Sequence, residues 1–294
     1  MPSGYTLSEK DKNKISRFIN GRHSGYFFKN FLDITDGNVK DAIKLYHFDT
    51  RLRNTLFTYI LKFELVLKND FVYLAELSGA STTFWNNSSY YLSSATRVSP
   101  RNRYSKFDQL VYKVQQDISR KIFTNNPIQN VNVFYSISYG TFMRYFELID
   151  SSYKCDFIKL HFNGTSNYYE FKKYLYAVKL IRNRCAHSNH IISPKLKVEH
   201  RISPLISMSP EFNILYTEFS KCLLFIHRTL KGKERKNFER DMLILLDRYM
   251  KVANKYFTKH TVDKNLNSKL RRIWRIRPKI ISEFLYKFYF YVKI

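Results

Sequence analysis

Acidic residues are scarce in this chain: 24 Asp and Glu stand against 50 Lys and Arg, a net charge of +26 over 294 residues. A surface so charged repels itself unless a polyanion neutralises it. Nucleic acid is the expected partner, because each phosphate contact releases condensed counterions. An anionic membrane surface is the runner-up. Glycine and proline are also scarce, at 8 and 7. That excludes collagen-like and low-complexity chains and argues against a turn-rich β architecture. There are three cysteines, Cys155, Cys185 and Cys222, too few and too widely spaced for a disulfide framework. They point to reduced thiols and a cytoplasmic home, and no Cys/His spacing resembles a zinc site. Neither a metal nor another cofactor is expected. Long apolar runs are missing too. The stretch 284–294 is too short to span a bilayer and carries Lys287 and Lys293, so no membrane association is expected. The opening segment, with Ser8-Glu9-Lys10-Asp11-Lys12, is too polar for a secretory signal.

What is present is enough for a packed core. Hydrophobic residues make up 44% and aromatic residues 17%, with 25 Phe and 23 Tyr. Most of these rings must be internal, and a few are free to stack on unpaired bases. Apolar residues recur with helical spacing over 8–20, 38–49, 51–75, 107–123, 133–149, 168–181, 211–230 and 236–257. The 133–149 segment carries Gly140 inside it. Residues 79–104 are rich in Gly, Ser, Asn and Thr and read as loop, as do 152–163 in part and 190–210 with its prolines. Alternating, strand-like patterns are rare, so the fold class is all-α. No internal repeat is visible. No clear domain seam is visible either: the chain reads as a helical domain over 1–230 with a basic C-terminal helical extension over 231–294, or as one domain throughout.

The candidate chemistry lies at the end of the 168–181 helix, in Arg182-Asn183-Arg184-Cys185-Ala186-His187. RNA carries its own nucleophile, the 2′-OH. Cutting it without metal requires a group that moves a proton, a cation that stabilises the developing phosphorane charge, and a polar group that orients the phosphate. His187, Arg182 and Asn183 suit these tasks in that order. On a continuous helix, residues five apart lie about 140° around the axis from each other. Arg182 and His187 therefore serve one phosphate better if the helix ends near Cys185, or if two copies meet across a two-fold axis. Spacing alone also fits a basic helix end carrying a surface histidine.

Several other residues allow two readings. Glu64 falls on or beside the apolar stripe of the 51–75 helix. It is either a buried carboxylate paired with Lys or Arg, or a support for the catalytic group. Arg101 and Arg103 sit in a basic loop that either tracks a phosphate backbone or is an ordinary solvated link. In the tail, Arg271, Arg272, Arg275 and Arg277 are candidate phosphate contacts. Trp274 among them either stacks on a base or is buried with its apolar neighbours. Arg184 within the motif and His190 just beyond it are candidate RNA contacts. Cys185 is a packing residue with no visible partner base.

The run Lys179-Leu180-Ile181-Arg182-Asn183-Arg184-Cys185-Ala186-His187-Ser188-Asn189 resembles the signature of HEPN ribonucleases. It is similar in particular to the Abi-like (AbiD/AbiF) abortive-infection family of bacterial phage-defence proteins. The segment from Arg53 to Glu64, continuing to Leu67-Lys68, resembles that family's N-terminal helix. Ser138-Tyr139-Gly140-Thr141-Phe142 resembles its Phe-Gly-Thr-Leu-like segment. The likeness spans roughly residues 15–230. The family often has Trp and Glu ahead of the Gly, where this chain has Asn132-Val133-Phe134-Tyr135. It commonly has a second Arg beyond the motif, where this chain has His190. The resemblance implies a HEPN-type helical bundle with additional helices at both ends. It also implies a homodimer whose two motifs line one cleft, with Arg182, Asn183 and His187 as catalytic residues. The implied reaction is metal-independent RNA cleavage leaving a 2′,3′-cyclic phosphate and a 5′-OH, in a toxin restrained by a small non-coding RNA. A ribonucleoprotein component that binds RNA without cutting it is the alternative.

Overall fold

The computed structural model describes residues 6–19, 25–119, 128–162, 167–191 and 218–257. Among them there is no strand, only an isolated antiparallel bridge between Tyr91 and Ile149. The helices in chain order are α1 (Glu9–Ile19), α2 (Gly25–Ile34), α3 (Val39–Leu77), α4 (Ser93–Thr96), α5 (Lys106–Ser119), α6 (Asn130–Ser136), α7 (Tyr139–Leu148), α8 (Cys155–His161), α9 (Tyr168–Ala186), α10 (Glu218–Thr229) and α11 (Gly232–Phe257). The all-α expectation is met. No described helix is long and apolar enough to cross a membrane.

α3 is the axis of the molecule. Its 39 residues contain neither Gly nor Pro, which corresponds to about 58 Å of helix. Asn38 caps its start by accepting from the Asp41 N–H. The sequence suggested two helices here, meeting near residue 50. They are one, because nothing at Thr50 interrupts the ladder and Asp49 bonds Arg53 one turn on, across the expected gap. Gly79, at φ +93°, ends the helix. Gly79 N–H donates to Glu76 C=O and Ala80 N–H to Ala75 C=O, the paired closure of a Schellman turn.

One stripe of α3 is the core: Leu45, Leu52, Leu56, Phe63, Leu67 and Phe71 are all essentially inaccessible. Helices α2, α6, α9, α10 and α11 pack along it. The aromatic excess is used here. The Phe71 ring lies within 5.4–6.1 Å of the rings of Phe84, Phe134, Phe142, Phe146 and Phe157. Such tilted and edge-on contacts each contribute about 0.5–1.5 kcal/mol beyond area burial. α11, on the far side of the division drawn at 230, rests on the same axis. Its Phe238 packs on Tyr59 and its Tyr249 stacks on Phe48.

The helix expected over 133–149 is two. Ile137 and Ser138 are extended, and the Ser138 side chain accepts from the Thr141 N–H, capping α7. The break frees the Ile137 carbonyl, which accepts from the buried Lys68 ammonium at 2.6 Å. Gly140 therefore lies in the first turn of α7 rather than inside a long helix.

Candidate active site

α9 runs antiparallel to α3. Tyr139, which packs near Phe63, donates to the Leu175 carbonyl, Arg182 lies by Phe57, and His190 lies by Asp49. Asn167 caps its start. Phe171, Tyr174, Leu175, Val178, Ile181 and Cys185 face the core; Arg182, four residues after Val178, continues that stripe at its end, and Lys179 and Asn183 fall beside it. The helix does end beside the motif: Ala186 is its last residue and His187 its cap. His187 N–H donates to Asn183 C=O, Ser188 N–H to Cys185 C=O, and Asn189 N–H to Arg184 C=O. This is again a Schellman closure, with Ser188 at φ +55° in the position usually held by Gly. His187 still makes the helical bond to Asn183, and the chain leaves the helix just after it.

Arg182 is half-buried. Its guanidinium carbon lies 6.0 Å from the centre of the Phe57 ring, and Nη1 donates to Asn183 Oδ1 at 3.5 Å. Its Nε is buried without a hydrogen-bond partner among the described residues. His187 is exposed. No carboxylate among the described residues pairs with either. Cys185 is buried, and burial pushes its thiol up to about 12. That keeps it protonated and suits a packing residue, not a nucleophile.

The segment after the motif is fastened to α3 by a carboxylate. Asp49 has no exposed surface. Its Oδ2 meets His190 Nδ1 at 3.0 Å and accepts from Arg53 Nε at 2.9 Å, and its Oδ1 accepts from the Ile191 N–H at 2.8 Å. Arg184 adds a further tie, donating from Nη1 to the His190 carbonyl at 2.9 Å.

These contacts revise several expectations. His190 is buried, edge-on to Phe31 at 4.7 Å. It holds the turn and offers no surface to RNA. Arg184 is half-buried and spends a guanidinium nitrogen on the same turn. Glu64 is the paired carboxylate of the two readings: Lys68 Nζ lies 2.6 Å from its Oε1, and no contact joins it to Arg182, Asn183 or His187 among the described residues. Arg101 and Arg103 are exposed just ahead of α5, Arg103 lying over the Tyr104 ring at 5.6 Å. Arg271, Arg272, Trp274, Arg275 and Arg277 lie outside the described residues, as does the 190–210 link beyond Ile191. The residue that sequence reasoning missed is Asp49. Its signal was present, since it interrupts the stripe Leu45, Leu52 and Leu56 with a charge and is followed four residues later by Arg53.

A protein family described as Abi-like protein matches residues 8–193. The chain belongs to the Abi-like family. No curated protein and no solved structure matches it. The region shared with other Abi-like proteins runs from the start of α1 to just past Ile191. It thus contains the Arg182–His187 motif, its cap, and both sides of the Asp49 clamp. α10 and α11 fall outside it.

Proposed function

We propose that this Abi-like protein is an endoribonuclease of bacterial phage defence, acting through abortive infection. It works at Arg182, Asn183 and His187 without a metal. The observation that carries the reading is the helix end itself. It sets a guanidinium and an imidazole at the last turn and cap of one helix, neither claimed by a carboxylate among the described residues. In the reaction, His187 accepts the 2′-OH proton as O2′ bonds to phosphorus. The P–O5′ bond then breaks, and the leaving 5′-oxygen takes a proton. A 2′,3′-cyclic phosphate and a 5′-OH result. Arg182 matches two phosphate oxygens with its planar fork, and Asn183 orients the group. One chain supplies one such histidine. A second copy in a homodimer supplies the other, so that base and acid are separate residues. The high positive charge suits a stably bound structured RNA, and a small non-coding RNA that restrains the toxin is the proposed regulator.

His187→Ala is expected to lower RNA cleavage by about 10²–10⁴-fold, the usual contribution of a general acid or base, while RNA binding persists. Arg182→Lys, which keeps the charge but loses the fork, is expected to lose about 10²-fold or more. Cleavage is read on labelled RNA, with the cyclic phosphate detected at the 3′ end. Undiminished cleavage by His187→Ala would leave the assignment without its acid–base group. RNA bound by the unaltered protein with no cleavage at all would favour the non-cutting ribonucleoprotein alternative.

A further inference from the structure

A cleft of about 320 Å³ opens between α5 and α7. Lys106, Leu110 and Lys113 line it from α5, and Gly140, Thr141 and Arg144 from α7. Every charged side chain in its wall is a cation. Lys106, Lys113 and Arg144 are exposed, and none pairs with a carboxylate among the described residues. The acid nearest on α7, Glu147, is already occupied by Lys172 at 2.8 Å and the Tyr176 hydroxyl at 2.7 Å. A fourth cation reaches the rim from α9. A Cβ placed on Gly140 would lie 3.8 Å from Lys179 Cε and 3.9 Å from its Nζ.

Lys179 connects this cleft to the candidate active site. It precedes Arg182 by three residues and Asn183 by four, which places all three on one face within about 6 Å of helix rise. Arg101 and Arg103 stand exposed at the other end, ahead of Lys106. Cations thus stand in the loop before α5, in the cleft and on α9. We propose that the α5–α7 cleft seats backbone phosphates of the RNA, holding the strand beside the nucleotide at Arg182 and His187. The identity of the ligand rests on the ribonuclease reading. The anion-binding chemistry rests on the cleft alone. A concave slot that admits only a few phosphates fits a single strand better than the flat face of a bilayer.

The test uses the full chain and a fluorescent single-stranded RNA with 2′-O-methyl sugars, which binds but lacks the nucleophile. Affinity is measured by anisotropy as a function of KCl for the triple variant Lys106→Ala/Lys113→Ala/Arg144→Ala. A control removes the same charge from exposed positions on α1, Lys10→Ala/Lys14→Ala/Arg17→Ala. Losing three phosphate contacts should weaken binding about a hundredfold at 0.1 M salt and lower the slope of log K on log salt by about 2. The control should change both far less. Equal weakening by the two triples, or no weakening by the cleft triple, would overturn the cleft. So would loss of binding to phosphatidylserine vesicles with RNA affinity intact. If the cleft triple behaves as expected but His187→Ala still cuts unmodified RNA, the cleft stands and the catalytic reading fails. If the unaltered chain binds no RNA, both fall.

Discussion

Asp49 illustrates what a single buried carboxylate does for a site it never touches. Three donors converge on it, from Arg53, from the His190 ring and from the Ile191 backbone. Removing its charge while keeping its shape, as in Asp49→Asn, leaves the buried Arg53 guanidinium without its counter-charge. Breaking a buried pair in this way costs about 3–5 kcal/mol, to be read as a fall in denaturant midpoint. RNA cleavage should fall with it, because the turn carrying His187 loses its anchor. An unchanged midpoint would mean that Asp49 does not hold the turn. The sequence shows the charge at Asp49 within the apolar stripe but hides its partners, for a physical reason. Two helices expected to meet near residue 50 separate Asp49 from Arg53, whereas the continuous α3 makes them neighbours one turn apart. The His190 partner is distant in sequence, where no periodicity reaches. Lys154 carries a second prediction at this scale. Its ammonium is buried, donates to the Phe146 and Ile149 carbonyls, and is pushed down to about 8, chiefly by burial. A lysine whose folded value lies below its unfolded one is protonated more readily in the unfolded chain. Stability from this group therefore rises with pH between about 8 and the unfolded value near 10.4. The difference in unfolding free energy between wild type and Lys154→Met should change across that window and stay flat below it. A constant difference would contradict the assignment.

The ends of helices, more than their middles, decide what this chain can do. The body of α9 was legible from its apolar stripe, and with it the position of Arg182 at the end of that stripe. Its end was not marked by the usual glycine: Ser188 adopts the left-handed conformation instead. A left-handed L-residue costs about 1–2 kcal/mol, and the three hydrogen bonds of the turn offset it. Ser188→Gly should therefore leave stability equal or raise it by up to about 1 kcal/mol, with cleavage retained. Ser188→Val, whose branched side chain resists this conformation, should lose about 1–2 kcal/mol and cut more slowly. Thermal unfolding and single-turnover cleavage check the pair; a valine variant as stable as the glycine variant would contradict the strained turn. The same contrast explains the split between α6 and α7. Hydrophobic spacing runs through 133–149 without interruption. A serine cap and a carbonyl needed by Lys68 end one helix and start the next, and neither leaves a periodic trace.

At the scale of the whole molecule, the all-α architecture followed from composition and period, because few breakers and a 3.6-residue pattern leave little else. Which apolar side chains stay exposed did not follow, since exposure depends on how the described helices pack. On α3, Leu61 and Leu65 are 45% and 39% exposed. They lie one and two turns beyond Phe57, the ring beside the Arg182 guanidinium. For the proposed homodimer, these two apolar side chains, in register on the solvent face of the central helix, are the expected contact with the second chain. Two chains of charge +26 repel each other, so this contact should tighten with salt or with bound RNA. Leu61→Asp/Leu65→Asp should shift sedimentation to the monomer and lower cleavage more than tenfold. Stability of the fold itself should change little, because both residues are at the surface. Mixing then separates a shared site from two independent ones. Wild-type chains mixed with Arg182→Ala/His187→Ala chains should lose activity as the square of the wild-type fraction, since a mixed dimer carries only one intact histidine. A loss linear in the wild-type fraction would place the whole reaction within a single chain.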